Sequence, residues 1–120
     1  MPRFSLRIAS QPTITHYHAD GSLSKVDRRE EFATYAAQIK YHLDGVSACR
    51  GYHGKMHHVN ACFAAALSRP DILARYPRFA ETAMTKAQQL IQEVPASFTR
   101  AHVILRRAIH VISHLEFNLA

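Results

Sequence analysis

The 120 residues include no tryptophan, four glycines, three methionines and two cysteines, and their nine acidic residues face fifteen lysines and arginines. Each shortage excludes something. Two cysteines, Cys49 and Cys62, cannot build a disulfide framework or a four-thiolate knuckle, so free thiols are expected. The shortage of acid, with a formal net charge of +6 and a sequence pI near 9.8, excludes a surface that imitates DNA by negative charge. The longest uninterrupted apolar run, Ala61 to Leu67, falls far below the ~20 residues of a membrane span. Met1 is followed by Pro2-Arg3-Phe4-Ser5 rather than an apolar leader core, so a cytoplasmic chain with no membrane partner is expected. There is no Walker loop, no G-x-S-x-G elbow and no G-x-G-x-x-G fingerprint, which leaves nucleotide-loop and serine-hydrolase chemistry without support.

At 48% hydrophobic, the chain suits one domain over residues 1–120. Phe4, Leu6 and Ile8 alternate with Arg3, Ser5 and Arg7, the period of a half-buried strand. Thr13 to His18 is rich in β-formers, and Asp20-Gly21 is a turn dipeptide before a short Leu23 to Val26 segment. From Asp27 the period becomes helical. Asp27 and Glu30 form a capping-box pair, Phe32, Tyr35, Ala36, Ile39 and Leu43 share a face, and Gly45 suits a C′ position, predicting a helix over about 28–44. A second helix is predicted from near Lys55 to Ser68, with Met56, Val59, Phe63 and Leu67 in its stripe. Pro70 and Pro77 each suit a first helical turn, Pro95 stops a helix ending near Val94, and Ser97 suits the cap of a last one. That last helix shows Ile104, Ala108, Val111, Ile112 and Leu115 as its stripe. The expected fold class is α+β: a short N-terminal antiparallel hairpin or three-stranded unit followed by a bundle of four to five helices.

The stretch with most chemistry is Cys49-Arg50-Gly51-Tyr52-His53-Gly54-Lys55-Met56-His57-His58-Val59-Asn60-Ala61-Cys62. Cys49, His53 and His57 recur every four residues, as do His58 and Cys62, the spacing at which helical side chains share a metal ion. The glycines argue against one continuous helix here, and His57 and His58 diverge by about 100° on any helix. No metal or other cofactor is therefore expected. Gly51-Tyr52-His53-Gly54-Lys55 resembles the G-x-x-G loop of KH domains, which clamps a single-stranded nucleic-acid backbone between two helices. The resemblance implies phosphate contacts from Arg50, Lys55 and the loop amides of Gly51, His53 and Gly54, and Tyr52 has the face to stack on a base. Arg75-Tyr76-Pro77-Arg78-Phe79 interleaves arginine with aromatics, so Arg75 and Arg78 join the candidate site.

Two weaker resemblances point to catalysis. His16-Tyr17-His18 resembles the His-hydrophobic-His motif of the HUH endonucleases, which implies a divalent ion held by His16 and His18 and a tyrosine nucleophile among Tyr35, Tyr41 and Tyr52. His57-His58-Val59-Asn60 resembles a fragment of the HNH nucleases. The leading expectation is a small basic intracellular nucleic-acid-binding accessory or regulatory protein that is not an enzyme, with no catalytic residues. The alternative is an inhibitor or adaptor, of the small kind carried by phages and mobile elements, engaging an acidic face of a larger complex. A metal-dependent nuclease using His16 and His18 is third.

Overall fold

The computed structural model describes residues 13–117, without the side chains of Thr13, Ile14, His16 and Val26. The strand expected over residues 3–9, and with it a three-stranded unit, lies outside the described residues. The chain is mostly helical. Two short strands, β1 (Thr13–Tyr17) and β2 (Leu23–Asp27), pair antiparallel from Thr13↔Asp27 to Tyr17↔Leu23. Gly21, at φ +87, takes the left-handed conformation the connecting turn needs, and Asp20 Oδ1 accepts from Ser22 N–H and hydroxyl at 2.9 and 2.6 Å. A ribbon of two strands has little apolar area to hide, and here Tyr17 and Leu23 face outward. Among the described residues the core contains no strand residue.

Five helices follow among the described residues: α1 (Arg28–Ala48), α2 (Tyr52–Leu67), α3 (Pro70–Arg75), α4 (Pro77–Glu93) and α5 (Thr99–Ser113). Asp27 starts α1 as its spacing predicted, with Oδ1 accepting from the backbone N–H of Arg29 and Glu30 at 2.8 and 3.4 Å. The end of α1 differs. Gly45 stays helical instead of terminating the helix, and Cys49, in extended conformation, closes it with an N–H bond to the Gly45 carbonyl at 2.9 Å. Pro70 and Pro77 occupy first turns of α3 and α4, as their fixed φ favours.

Helix α2 is the centre of the bundle, packing on α1, α3 and α5. It buries Met56, Val59, Cys62, Phe63 and Ala66, two adjacent stripes rather than one, because it has neighbours on more than one side. Helices α4 and α5 pack together, α4 burying Ala80, Ala83, Ala87 and Leu90 and α5 burying Ala101, Leu105, Ala108 and Ile112. The buried face of α5 therefore centres on Leu105, one residue from the expected Ile104. Ser97 is not its cap: Phe98 holds that position without a side-chain cap bond. At the other end of the molecule Phe32 stacks on Tyr76 with ring centres 4.0 Å apart and meets Phe79 edge-on at 5.4 Å. The buried Tyr35 hydroxyl donates to the Ala66 carbonyl at 2.6 Å, tying α1 to the C-terminal end of α2.

Candidate functional site

Only Cys49, Arg50 and Gly51 separate α1 from α2, and Tyr52, His53, Gly54 and Lys55 form the first turn of α2. The five-residue G-x-x-G-K segment is thus not an interhelical loop, which corrects the KH-like expectation. Nor does either glycine supply a positive φ. Gly51 is the N-cap at φ −90 and ψ 149, and nothing in the structure requires glycine there. Gly54 has a reason: a Cβ would stand 3.0 Å from Cys49 Sγ, so the missing side chain lets the end of α1 fold against the start of α2.

What this turn does offer is one wall of an open groove of about 580 Å³. His53, His57 and Asn60 line it from α2, and Phe98 and Arg100 line it from the start of α5. Met56, Ala61 and Ala64 make its apolar floor. No acidic side chain lines it among the described residues. Tyr52, 52% exposed, lies at its edge with its ring 5.3 Å from Phe98 and inclined by 31°. Arg50, two residues before Tyr52 in the chain, and Arg100 are exposed, and Lys55 is half-buried. The carboxamide oxygen of Asn60 is buried without a hydrogen-bond partner among the described residues. Phe98 and Arg100 were not in the expected site: they come from residues beyond Pro95 that only packing brings to α2.

Arg75 does not belong to this site. Its side chain is 15% exposed, and Nη2 bonds Glu31 Oε1 at 3.0 Å. Glu31, itself 8% exposed, accepts from Arg69 Nη2 on its other oxygen at 2.9 Å, and Arg69 also bonds both oxygens of Asp71 at 3.0 and 2.8 Å. This network joins α1 to α3, so the arginine expected to meet phosphate instead neutralises a buried carboxylate. The Arg69 hydrogen bonds hold the Asp71 carboxyl below its usual range despite partial burial. Arg78 is exposed, but it lies on the first turn of α4 beside Phe79, which packs on Tyr35. Tyr35 reaches Ala66, whereas Arg50 and Tyr52 lie at the start of α2, and Arg78 is not among the residues that line the groove. The basic residues do not converge.

A second cluster forms where α1 passes α2. His42 Nδ1 lies 3.0 Å from His58 Nδ1, and the His57 ring centre is 5.4 Å from that of His58 and 6.2 Å from that of His42. Tyr41 meets His42 and His58 edge-on at 5.1 and 5.9 Å. Gly45 makes this possible: a Cβ there would lie 2.5 Å from His58 Nε2 and 2.6 Å from Cδ2 and Cε1. Burial, reinforced by the facing His58 and His57 imidazoles, moves the His42 pKa below its ordinary value. Among the described residues no three His, Cys, Asp or Glu side chains are already arranged to hold a metal ion. His42 carried no sequence signal, since nothing in α1 alone places it opposite His58.

The remaining candidates are spread out. His18 lies just beyond β1 with Nε2 2.8 Å from Ser24 Oγ, and the side chain of His16 lies outside the described residues. Of the proposed tyrosine nucleophiles, burial pushes the Tyr35 hydroxyl well above the phenol range and its proton is committed to Ala66, while Tyr41 and Tyr52 are exposed. Cys49 and Cys62 are both free, and burial pushes the Cys62 thiol up to about 12, which makes it a small apolar core group. His110 and His114 are exposed, with His114 Nδ1 2.8 Å from the His110 carbonyl oxygen. Among the described residues no helix is long and apolar enough to cross a membrane. Comparison with protein-family models, with curated proteins and with solved structures finds no match.

Proposed function

We propose that this chain is a small basic nucleic-acid-binding accessory protein that acts without catalysis, and that single-stranded nucleic acid enters the groove between α2 and the start of α5. The supporting observation is the groove itself: imidazoles, Arg100 and an unpartnered carboxamide around an apolar floor, with no acidic lining among the described residues. Arg50 and Arg100 meet the backbone phosphates, joined by the N–H groups of Tyr52, His53 and Gly54, which precede the first intrahelical bond of α2 from Lys55 N–H to the Gly51 carbonyl. Tyr52 and Phe98 present ring faces for stacking, a sequence-tolerant contact of about 1–3 kcal/mol per base. The site keeps Arg50, Tyr52 and His53 from the sequence expectation and replaces Arg75 and Arg78 with Phe98 and Arg100.

One observation favours a second reading, an inhibitor or adaptor that docks on an acidic protein face. The floor of Met56, Ala61 and Ala64 suits an apolar anchor side chain as well as a base. Labelled single- and double-stranded oligonucleotides titrated over a salt series separate the two. Phosphate recognition requires affinity that falls steeply with salt and weakens in Arg100→Glu. No binding at low salt refutes the nucleic-acid reading, and a pull-down with and without nuclease then tests for a protein partner.

A further inference from the structure

We propose that His42 and His58 form a chelating site for a zinc-class divalent transition metal, with His57 as the side chain able to add a third bond. The geometric basis is the convergence of two imidazole nitrogens from different helices. Bonds of about 2.0–2.1 Å from two nitrogens 3.0 Å apart meet at about 95°, between the octahedral and tetrahedral angles. Without metal the same two nitrogens share one proton, so one ring carries its hydrogen on Nδ1 and the other accepts. A metal ion takes the place of that proton. The donor ring returns its hydrogen to Nε2 through solvent, and both neutral imidazoles then offer a lone pair.

Gly45 bears on the same two rings. A glycine near the end of a 21-residue helix costs helical stability, and its local effect here is to seat the His58 ring against α1, three residues from His42. His57 completes the arrangement only by rotation. Three imidazoles on one ion hold their ring centres roughly 5–5.5 Å apart, a spacing that His57 has to His58 but exceeds to His42. Water would fill the remaining positions. Imidazole donors suit zinc, nickel and copper rather than magnesium or calcium, which favour oxygen. Bound metal would fasten α1 to α2 and, through His57, place positive charge beside the groove.

Zinc chloride titrated calorimetrically into the full chain at neutral pH is expected to bind one ion per chain at micromolar affinity and to raise the melting temperature; magnesium chloride should do neither. His42→Gln and His58→Gln should each weaken zinc binding at least tenfold with the circular dichroism spectrum unchanged. His110→Gln, which alters the other close histidine pair, should leave binding as it was. Should a glutamine variant unfold, Gly45→Ala retains both imidazoles but displaces the His58 ring, and it too should lose the site. Absence of saturable zinc binding, equal affinity in the His42→Gln/His58→Gln double variant, or an equal loss in His110→Gln would overturn the proposal.

Discussion

Replacing Gly45 with alanine asks whether a histidine on one helix dictates the residue on another. In an unobstructed helix interior the change stabilises by about 1 kcal/mol, because alanine loses less backbone freedom on folding. Here the new Cβ would fall 2.5–2.6 Å from three atoms of the His58 ring. Helix α1 is held in place by buried Tyr35 and Ile39, so the half-buried ring is the part that yields. Its departure removes the bond to His42, worth about 1 kcal/mol net, and forces a new rotamer at about 0.5–1.5 kcal/mol. Gly45→Ala alone should therefore destabilise by about 0.5–1.5 kcal/mol. In a His58→Ala background it should stabilise by about 1 kcal/mol, raising the melting temperature by about 4 °C. The coupling between the positions is then about 1.5–2.5 kcal/mol, readable by urea unfolding of the four members of a double-mutant cycle. Equal stabilisation in both backgrounds would refute the steric argument.

Other outcomes follow from the same geometry. Glu31→Ala leaves Arg69 and Arg75 partly buried without their shared carboxylate and should cost about 2–3 kcal/mol, less than a fully buried pair because Arg69 retains solvent; urea midpoints measure it. The folded-state pKa of His42 is depressed, so its contribution to stability is present above about pH 6.5 and is lost as pH falls from there through the folded value. His42→Gln should flatten that portion of the stability profile, and an unchanged profile would count against it. Asp71, also depressed, contributes stability above its unfolded value that is lost only as pH falls below the usual carboxylate range, so Asp71→Asn should move the acid limb of unfolding. For the groove, Tyr52→Ala should weaken oligonucleotide binding by about 1–3 kcal/mol at any salt, whereas Arg100→Ala should reduce the salt slope by about one; Arg75→Lys should leave both unchanged.

Much of the architecture was legible in the chain because it follows from local rules. Asp27 caps α1 through hydrogen bonds to residues two and three positions away, and Pro70 and Pro77 mark helix starts through their own fixed φ. Met56, Val59 and Phe63 announced the buried face of α2 by spacing alone. Errors came where a residue had two uses. Gly45 and Gly54 read as breakers, yet both are helical and their missing side chains admit His58 and Cys49, partners that no local rule identifies. Arg75 read as a free cation because its carboxylate lies on another helix. Pro95 and Ser97 correctly marked an interruption, but the cap fell on Phe98, whose ring is set against Tyr52.

The sequence by itself determined a basic, mostly helical chain with free cysteines and the approximate limits of its helices. Hydrophobic period, capping and proline geometry act over a few residues, so they survive being read without a fold. Which arginines face solvent, which histidines meet and where a groove opens were decided only when α1, α2 and α5 packed together. Those outcomes depend on side chains tens of residues apart competing for the same space and the same charges, and only the shared core that aligns the helices resolves that competition.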